Sequence, residues 1–397
     1  MKHPCFSKSH ESGRIHLPVA KECNLGCNFC NRKYDCLNES RPGVTSRLLT
    51  PKEALLRFAF YREILGNISV AGIAGPGEPL ANQKETRATF TLIKQVYPDV
   101  NLCLSTNGIN LLESVKWLSS VGVGFVTVTI NGISEDIVEK VYSFVVKDGK
   151  VYKGGEMAKV IIKSQMDGLK ALLTYGFNVK VNIVLIPGIN DFHICEMLEE
   201  LKKLGVSYVN IIPLIPVKGT VFWERGVRKP PLKRQLLKVR ERAKEIGLKI
   251  MTHCKSCRAD AVGVPGKEHE FKGRFIAVTS SDGVTVDSHF GSFKKVFLFD
   301  SLTGKFCGVR EVNGTYNQLF LNDFGVITDV FRVFKNCGVV ITKRVGKFPE
   351  TLLKECGISV VQTEGSVREA VMEEVLKRNY FSRFTGLKFS WEVCRDV

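Results

Sequence analysis

A chain of 397 residues with 44% hydrophobic content is long enough for two ordinary domains, each with its own core. It contains no apolar stretch near the roughly 20 residues that span a bilayer, and its first residues lack the apolar core of a signal peptide, so we expect a cytoplasmic protein without a membrane partner. The formal net charge of +17 is compatible with a polyanionic partner. However, we find no recognisable nucleic-acid-binding motif, and we do not expect nucleic acid to be that partner.

Repeated β-α units are predicted between residues 15 and 215, where short β-rich apolar runs alternate with longer amphipathic segments. The predicted strands are Ile15–Ala20, Ile68–Ala74, Asn101–Thr106, Phe125–Ile130, Val179–Ile186 and Tyr208–Pro213, and the predicted helices cover 51–65, 84–97, 110–120, 157–175, 191–204 and 231–246. This order predicts an α/β fold with a parallel sheet, of the partial TIM type (β/α)6.

A CxxxCxxC loop, Cys23, Cys27 and Cys30, follows the first predicted strand. Iron-sulfur clusters are usually held by four thiolates, so a three-cysteine loop leaves one iron for a small molecule. The alternative is a structural zinc site completed by Cys36. Intervals of four, three and six residues in one loop, instead of two separate CxxC pairs, favour the cluster. The loop resembles that of the radical S-adenosylmethionine (SAM) superfamily, in which SAM binds the open iron through its amino and carboxylate groups.

Polar residues follow the next strands, where a barrel-like α/β fold builds its active site. Glu78 can accept a hydrogen bond from the ammonium group of SAM, and Gly77 lets the backbone approach the ligand. The other predicted SAM contacts, to ribose or carboxylate, are Ser105, Thr106, Asn107 and Asn131. Stabilisation of turns is the alternative role for such residues, but their common position at the strand ends favours binding.

Six further candidate ligands are Cys5, His16, Cys36, Cys103, Cys254 and Cys257. Cys254 and Cys257 form a CxxC pair that suits either redox chemistry or metal ligation, and the absence of a thioredoxin-like context favours metal. Cys103 and His16 lie in predicted strands, where a buried structural role is the alternative. Taken together, the six residues divide into two incomplete sites with three ligands each.

The arrangement of these motifs resembles the NifB family of nitrogenase cofactor biosynthesis proteins. The motifs that carry the resemblance are His3-Pro4-Cys5, His16-Leu17-Pro18-Val19-Ala20, the cysteine loop, Asn31-Arg32-Lys33-Tyr34-Asp35-Cys36, Ala74-Gly75-Pro76-Gly77-Glu78-Pro79-Leu80, Leu102-Cys103-Leu104-Ser105-Thr106-Asn107-Gly108 and Cys254-Lys255-Ser256-Cys257-Arg258-Ala259-Asp260. The match extends over residues 1–265. In one respect the chain departs from the usual radical SAM pattern, because Pro76 separates the glycines that precede Glu78.

The resemblance implies three [4Fe–4S] clusters, one that binds SAM and two auxiliary clusters that are substrates. His16, Cys36 and Cys103 would hold one auxiliary cluster, and Cys5, Cys254 and Cys257 would hold the other, which accepts a methyl group. The two would be fused with a SAM-derived carbide and an added sulfur into the eight-iron precursor of the nitrogenase cofactor. The implied partners are cluster donor and reductant proteins, together with cofactor scaffold or carrier proteins. The motifs do not identify the residues that transfer protons.

A second domain is predicted after a linker rich in glycine and proline, which gives domains at 1–262 and 274–397 and a linker at 263–273. Residues 275–378 resemble the NifX/NafY family of cofactor carriers through Ile276-Ala277-Val278-Thr279-Ser280-Ser281-Asp282-Gly283 and Ser288-His289-Phe290-Gly291. That resemblance implies a small ribonuclease H-like α/β fold, with His289 as the candidate contact to the product cluster.

Two other functions fit part of this pattern. A different radical SAM enzyme with auxiliary clusters could act on a peptide, a nucleotide or RNA, and the positive charge would then serve substrate binding. A cluster scaffold or carrier would bind iron and sulfur without turning over SAM, but Glu78 and the polar strand ends argue against it. Fusion of clusters without another substrate, and cleavage of SAM, separate the three functions.

Overall fold

The computed structural model describes residues 3, 12–36, 47–251, 259–263, 273–320 and 326–385. The chain divides into two compact units, one with residues 1–58 and 67–268 and the other with residues 59–66 and 269–397. Within the described ranges, no helix is long and apolar enough to cross a membrane. The residues Cys5, Cys254 and Cys257 lie outside these ranges, as does most of the predicted linker.

The first unit is a mixed α/β fold, as predicted from the sequence. Its strands are β1 (Gly13–His16), β2 (Leu25–Cys27), β3 (Ile68–Ile73), β4 (Asn101–Thr106), β5 (Val123–Thr129), β6 (Tyr142–Lys147), β7 (Lys150–Tyr152), β8 (Asn178–Leu185), β9 (Tyr208–Pro213), β10 (Lys249–Ile250) and β11 (Val262–Gly263). Its helices are α1 (Pro51–Leu65), α2 (Gln83–Val96), α3 (Leu111–Val121), α4 (Glu135–Val141), α5 (Gly154–Thr174), α6 (Ile194–Lys203), α7 (Val221–Glu224) and α8 (Lys233–Glu245).

Eight of these strands form one sheet in the order β10-β9-β8-β5-β4-β3-β1-β11. All neighbours are parallel except β11, which is antiparallel to β1. The six strands predicted from the sequence are confirmed, and the short β10 extends the parallel part. β1 ends at His16 instead of Ala20, since Pro18 has no N–H group to continue the ladder. The closure of this sheet into a partial barrel stays a prediction.

The two faces of the main sheet differ in chemistry. Alternate residues of the central strands are aliphatic and fully buried, as in Ile15, Leu102 and Val126. The intervening positions carry His16, Gly72 and Cys103 in one cross-strand row, and Ser105, Thr127 and Lys180 in the next row. Because successive side chains of a strand point to opposite faces, one face of the sheet is apolar and the other carries these polar residues.

A small antiparallel sheet, β2-β6-β7, was not predicted. It pairs the cysteine loop with the segment that follows α4, with Cys27 opposite Tyr142 and Gly26 opposite Phe144. A Cβ atom on Gly26 would lie 2.5 Å from the Phe144 ring, so the close approach of these strands needs glycine. This sheet fixes the course of the cysteine loop.

The second unit contains a five-stranded sheet in the order β15-β14-β12-β16-β17, in which β12, β16 and β17 are parallel. Its elements are β12 (Phe275–Thr279), β13 (Thr285–Val286), β14 (Lys295–Asp300), β15 (Phe306–Glu311), α9 (Tyr316–Phe320), α10 (Ile327–Arg332), β16 (Cys337–Thr342), α11 (Lys347–Glu355), β17 (Ser359–Gln362), β18 (Gly365–Ser366) and α12 (Val367–Thr385). The sequence also predicts strands at 274–279, 339–342 and 358–361, and β12, β16 and β17 confirm them. The β14–β15 hairpin was missed, and the likeness to ribonuclease H stays a prediction.

Candidate functional site

The cysteine loop takes its shape from backbone hydrogen bonds to its neighbours. The Asn28 N–H donates to the Val141 carbonyl at 2.9 Å, and the Val146 N–H donates to the Asn24 carbonyl at 2.8 Å. Within the loop, the Cys30 N–H donates to the Cys27 carbonyl at 3.0 Å. The loop is therefore held on both sides of Cys27, and its three cysteines are half-buried.

The segment that follows β3 locks onto the start of this loop. The N–H groups of Gly77 and Glu78 donate to the carbonyls of Ala20 and Glu22, at 2.6 and 2.8 Å. A Cβ atom on Gly77 would overlap the Glu22 carbonyl oxygen and would lie 2.7 Å from that of Lys21. Only glycine allows the two backbones to approach so closely, and the predicted approach of Gly77 to the SAM ligand stays a prediction.

Asn82 and Arg32 tie the same two segments together. The Asn82 side chain accepts from the N–H groups of Lys21 and Glu22, at 3.2 and 3.1 Å, and donates to the Glu22 carbonyl at 2.9 Å. The Arg32 guanidinium donates to the carbonyls of Lys21 and Pro76, at 2.6 and 3.3 Å. Neither residue was predicted as part of the site, because their partners lie far away in sequence.

The Glu78 carboxylate is buried and accepts three hydrogen bonds. The donors are the Leu80 N–H at 3.0 Å, the Thr106 hydroxyl at 2.6 Å and the Asn107 N–H at 2.6 Å. Burial nevertheless raises the pKa of this carboxyl to about 7, although the three hydrogen bonds act in the opposite direction. A carboxylate has about four lone-pair sites, so Glu78 can accept one more donor from a ligand.

Two thiols of the loop are held in the protonated form at neutral pH. Burial raises the pKa of the Cys23 thiol to about 11, and the Glu78 carboxylate acts in the same direction. Burial also raises the pKa of the Cys30 thiol, against the opposing charge of Arg32. Metal ligation requires thiolates, so a bound cation would have to displace these protons.

One cavity brings most of the predicted residues together. Its lining includes all three cysteines of the loop, Cys36, and the predicted SAM contacts Gly77, Glu78, Ser105, Thr106 and Asn107. Sequence reasoning missed the other lining residues, Leu25, Phe29, Arg32, Ala74 and Thr129. Thr129 is the last residue of β5, and its position near the end of a predicted strand was the signal that could have identified it.

Asn131, also predicted to contact SAM, does not line this cavity. Its amide nitrogen donates to the Tyr142 hydroxyl at 3.1 Å, and its amide oxygen accepts from the Val184 N–H at 2.8 Å. Burial holds the pKa of the Tyr142 hydroxyl well above its usual range. Both ends of the Asn131 amide are thus engaged inside the protein, and a contact with SAM stays a prediction for this residue.

Asn24 of the cysteine loop carries a buried side-chain amide that is only partly satisfied. The Asn24 side chain, 7% exposed, accepts from Asn107 at 2.8 Å, while its own amide nitrogen has no hydrogen-bond partner among the described residues. Buried donors without a partner are uncommon in folded proteins, and this one directly follows Cys23 in the loop. No group of three His, Cys, Asp or Glu side chains in the described ranges is arranged to hold one metal ion.

The predicted auxiliary ligands are placed in part. Cys36 lines the same cavity as the cysteine loop. His16 and Cys103 lie on either side of Gly72, on the two strands next to it, in one cross-strand row of the polar face. Cys5, Cys254 and Cys257 fall outside the described residues, so their assignment to a second auxiliary cluster stays a prediction.

In the second unit, His289 is exposed in the segment that follows β13. The next residue, Phe290, donates its N–H to the Arg344 carbonyl at 2.9 Å, and the Lys343 N–H donates to the Ser288 carbonyl at 3.1 Å. These bonds hold the backbone at His289 beside the loop after β16. The role of His289 as a cluster contact stays a prediction.

Two family models match parts of the chain. Residues 17–201 match the Radical SAM superfamily, and residues 273–378 match the family described as dinitrogenase iron-molybdenum cofactor. A solved structure of methylornithine synthase (PylB) is 15% identical, with a TM-score of 0.39 over 60% of this chain and 63% of that chain.

Full-length relatives are also similar to the chain. The FeMo cofactor biosynthesis protein NifB of Chlorobaculum tepidum is 35% identical over 93% of this chain and 91% of its own length. The protein of the same name from Klebsiella pneumoniae is 38% identical over 78% of this chain and 77% of its own length. With identities above 30% over nearly its full length, the chain belongs to the NifB family of radical SAM proteins.

Proposed function

We propose that this chain is a radical SAM enzyme of nitrogenase cofactor biosynthesis that fuses two [4Fe–4S] clusters into an eight-iron precursor. The product would contain a carbide derived from SAM and one added sulfur. The single observation that carries the proposal is the shared cavity, which brings the cysteine loop, the Glu78 carboxylate and Cys36 to one place. The relatives named above, which are FeMo cofactor biosynthesis proteins, support the choice of product.

Cys23, Cys27 and Cys30 would hold a [4Fe–4S] cluster with one iron open to SAM, and that cluster, once reduced by a partner protein or by dithionite, would supply the electron for reductive cleavage of SAM. The chain contributes binding and orientation. Glu78, held by Thr106 and Asn107, accepts a hydrogen bond from the SAM ammonium group. Ser105, Thr106, Asn107 and Gly77 offer polar and backbone contacts for the rest of SAM.

The proposed reaction uses SAM twice. First, a methyl group passes from SAM to a sulfide of one auxiliary cluster, and S-adenosylhomocysteine leaves. A second SAM then accepts one electron and splits into methionine and the 5′-deoxyadenosyl radical, which removes one hydrogen atom from that methyl group. The two remaining hydrogens leave as protons, and the carbon–sulfur bond breaks as carbon–iron bonds form, so the bonding electrons stay on the iron-sulfur product.

Two sites would hold the substrate clusters. His16, Cys36 and Cys103 are proposed for one, and Cys5, Cys254 and Cys257 for the methylated one. With three protein ligands each, the substrate clusters keep coordination positions open for fusion. The second unit, through His289, would receive or shield the product before a scaffold or carrier protein takes it.

The test is an anaerobic assay of the full chain. Iron and sulfide are reconstituted, dithionite and SAM are added, and both nucleoside products are quantified together with iron. We expect about twelve irons per chain, as three four-iron clusters require, and both S-adenosylhomocysteine and 5′-deoxyadenosine. Formation of 5′-deoxyadenosine alone would favour another radical SAM reaction. The absence of both products would indicate that the chain is a cluster scaffold.

A further inference from the structure

We propose that Gly72 is a positioning residue of the first auxiliary site, because its missing side chain provides the space in which His16 and Cys103 reach one cluster. The inference deepens the function proposed above and rests on it for the identity of the ligand. Its structural basis is independent of the reaction, since it concerns the geometry of three neighbouring strands.

The register of the sheet places Gly72 directly between the two ligands. In the parallel ladder, His16 of β1 lies beside Gly72 of β3, and Gly72 lies beside Cys103 of β4. Residues in one such row project to the same face. The backbones of β1 and β4 are two strand spacings apart, about 10 Å, so their side chains meet only if the central residue leaves room.

Distances from an ideal Cβ atom on Gly72 show how fully the neighbours use that room. The atom would lie 2.6 Å from the Cys103 Sγ, 2.8 Å from the His16 Cδ2 and 3.3 Å from the His16 Nε2. Contacts under 3.0 Å essentially never occur for real Cβ atoms. The two potential metal-binding atoms, Sγ and Nε2, therefore both lie against the space that alanine would occupy.

The backbone does not explain the glycine. The φ angle of Gly72 is not in the left-handed region, so a residue with a side chain could adopt the same conformation. A glycine inside a strand loses more conformational entropy on folding than alanine does, at a cost of about 0.5–1 kcal/mol, and often marks a site of close approach. What approaches Gly72 is a sulfur and an imidazole, and both can rotate away from an added methyl group.

This freedom predicts a selective defect in Gly72→Ala. The methyl group displaces the two ligand side chains, while the aliphatic residues on the opposite face of the sheet are unchanged. We expect the anaerobically reconstituted variant to hold about eight irons per chain instead of about twelve, which is the loss of one four-iron cluster. The nitrogen coupling of a histidine-bound cluster in pulsed electron paramagnetic resonance should also disappear. The cluster on the cysteine loop, and its cleavage of SAM, should remain.

Gly13→Ala is the matched control, because it makes the same change in the same sheet. There a Cβ atom would meet the Ile68 Cδ1 at 2.8 Å and the Asn67 Oδ1 at 3.3 Å, with no proposed ligand among its three nearest atoms. We expect Gly13→Ala to keep about twelve irons. The thermal unfolding midpoints of the two iron-free variants should fall by similar amounts relative to the parent chain.

A double variant separates a role in ligand placement from a role in packing. If Gly72 acts only through the auxiliary site, the double variant Gly72→Ala/Cys103→Ala should hold the same number of irons per chain as Cys103→Ala alone. Full iron in Gly72→Ala, further loss of iron in the double variant, or a Gly72→Ala chain that does not fold would each overturn the proposal. A parent chain that holds about twelve irons but forms neither nucleoside product would contradict the proposed reaction and leave the iron count of Gly72→Ala as the test of this site.

Discussion

At the scale of single residues, the Glu78 carboxyl predicts how SAM binding depends on pH. Burial raises its pKa to about 7 in the ligand-free protein. The folded state therefore favours the protonated form, and the carboxyl contributes stability below its unfolded pKa that is lost as the pH rises through 7. The ammonium group of SAM needs the opposite, ionised form.

We expect the dissociation constant for SAM, measured calorimetrically on the reconstituted chain, to rise about tenfold from pH 8 to pH 6, because each pH unit below the pKa costs a factor of ten in ionised Glu78. In Glu78→Gln, binding should be weaker at pH 8 and should lose most of this dependence. Glu113→Gln, at an exposed ion pair with Lys147, is the control and should behave as the parent chain does. An unchanged pH dependence in Glu78→Gln would rule out the ammonium contact.

Gly77→Ala is a second prediction at this scale. Its methyl group would meet the Glu22 backbone, which cannot rotate away as a side chain can. We expect a loss of about 1–3 kcal/mol in the free energy of unfolding, measured with urea on the iron-free chain, together with impaired assembly of the cluster on the cysteine loop. Gly155→Ala, which would meet only the flexible end of Glu139 at 3.3 Å, should have a smaller effect.

Some residues of the site could be predicted from the sequence and others could not. Glu78, Thr106 and Asn107 were predicted from their places after strands, and they line one cavity. Arg32 and Gly72 gave no local signal, because what matters is the distance to atoms on other strands. Asn131 gave the same signal as Asn107, yet its amide is engaged by Tyr142 and Val184.

At the scale of elements, Asn82 is the joint between the cysteine loop and α2. The residue precedes the helix and is 8% exposed, and its side chain also donates to the Glu78 carbonyl at 2.8 Å. In Asn82→Ala, the N–H groups of Lys21 and Glu22 lose the amide oxygen that accepts from them, and the carbonyls of Glu22 and Glu78 each lose one donor but keep a backbone donor. We therefore expect the free energy of unfolding to fall by about 2 kcal/mol.

Asn178→Ala is the control for this prediction, because Asn178 is exposed and makes one bond, to the Gly124 carbonyl at 3.0 Å. Urea unfolding should show a change of less than about 1 kcal/mol for this control. Equal effects of the two substitutions would mean that Asn82 does not join the elements as described.

Elements were predicted well where periodicity was long and apolar. The parallel strands and α1 illustrate this, and α1 covers the predicted residues from Pro51 to Leu65. The small β2-β6-β7 sheet was missed because β2 has only three residues and β7 reads Lys-Val-Tyr, which is too short and too polar for a pattern. The polar face of the sheet was also not predicted, because only Lys180 and Asn182 interrupt a run in β8 that is otherwise apolar and buried.

At the scale of the whole molecule, the two units should serve separate steps. We expect His289→Ala to leave the formation of both nucleoside products unchanged, because His289 lies outside the cavity of the cysteine loop. Retention of the iron-sulfur product on the chain during anaerobic gel filtration should fall severalfold. Lys305→Ala, at another exposed position of the second unit, is the control. If retention were equal in both variants, His289 would not be the contact.

The central claim is that a methyl group from one SAM becomes the carbon of the product after attack by the radical from another. The most direct measurement uses SAM with a trideuterated methyl group, and the 5′-deoxyadenosine formed by the anaerobic, reconstituted chain is analysed by mass spectrometry. The account predicts that deuterium enters 5′-deoxyadenosine while S-adenosylhomocysteine accumulates. If the 5′-deoxyadenosine carries no deuterium, the radical takes its hydrogen from elsewhere, and cluster fusion through a SAM-derived carbide would be contradicted.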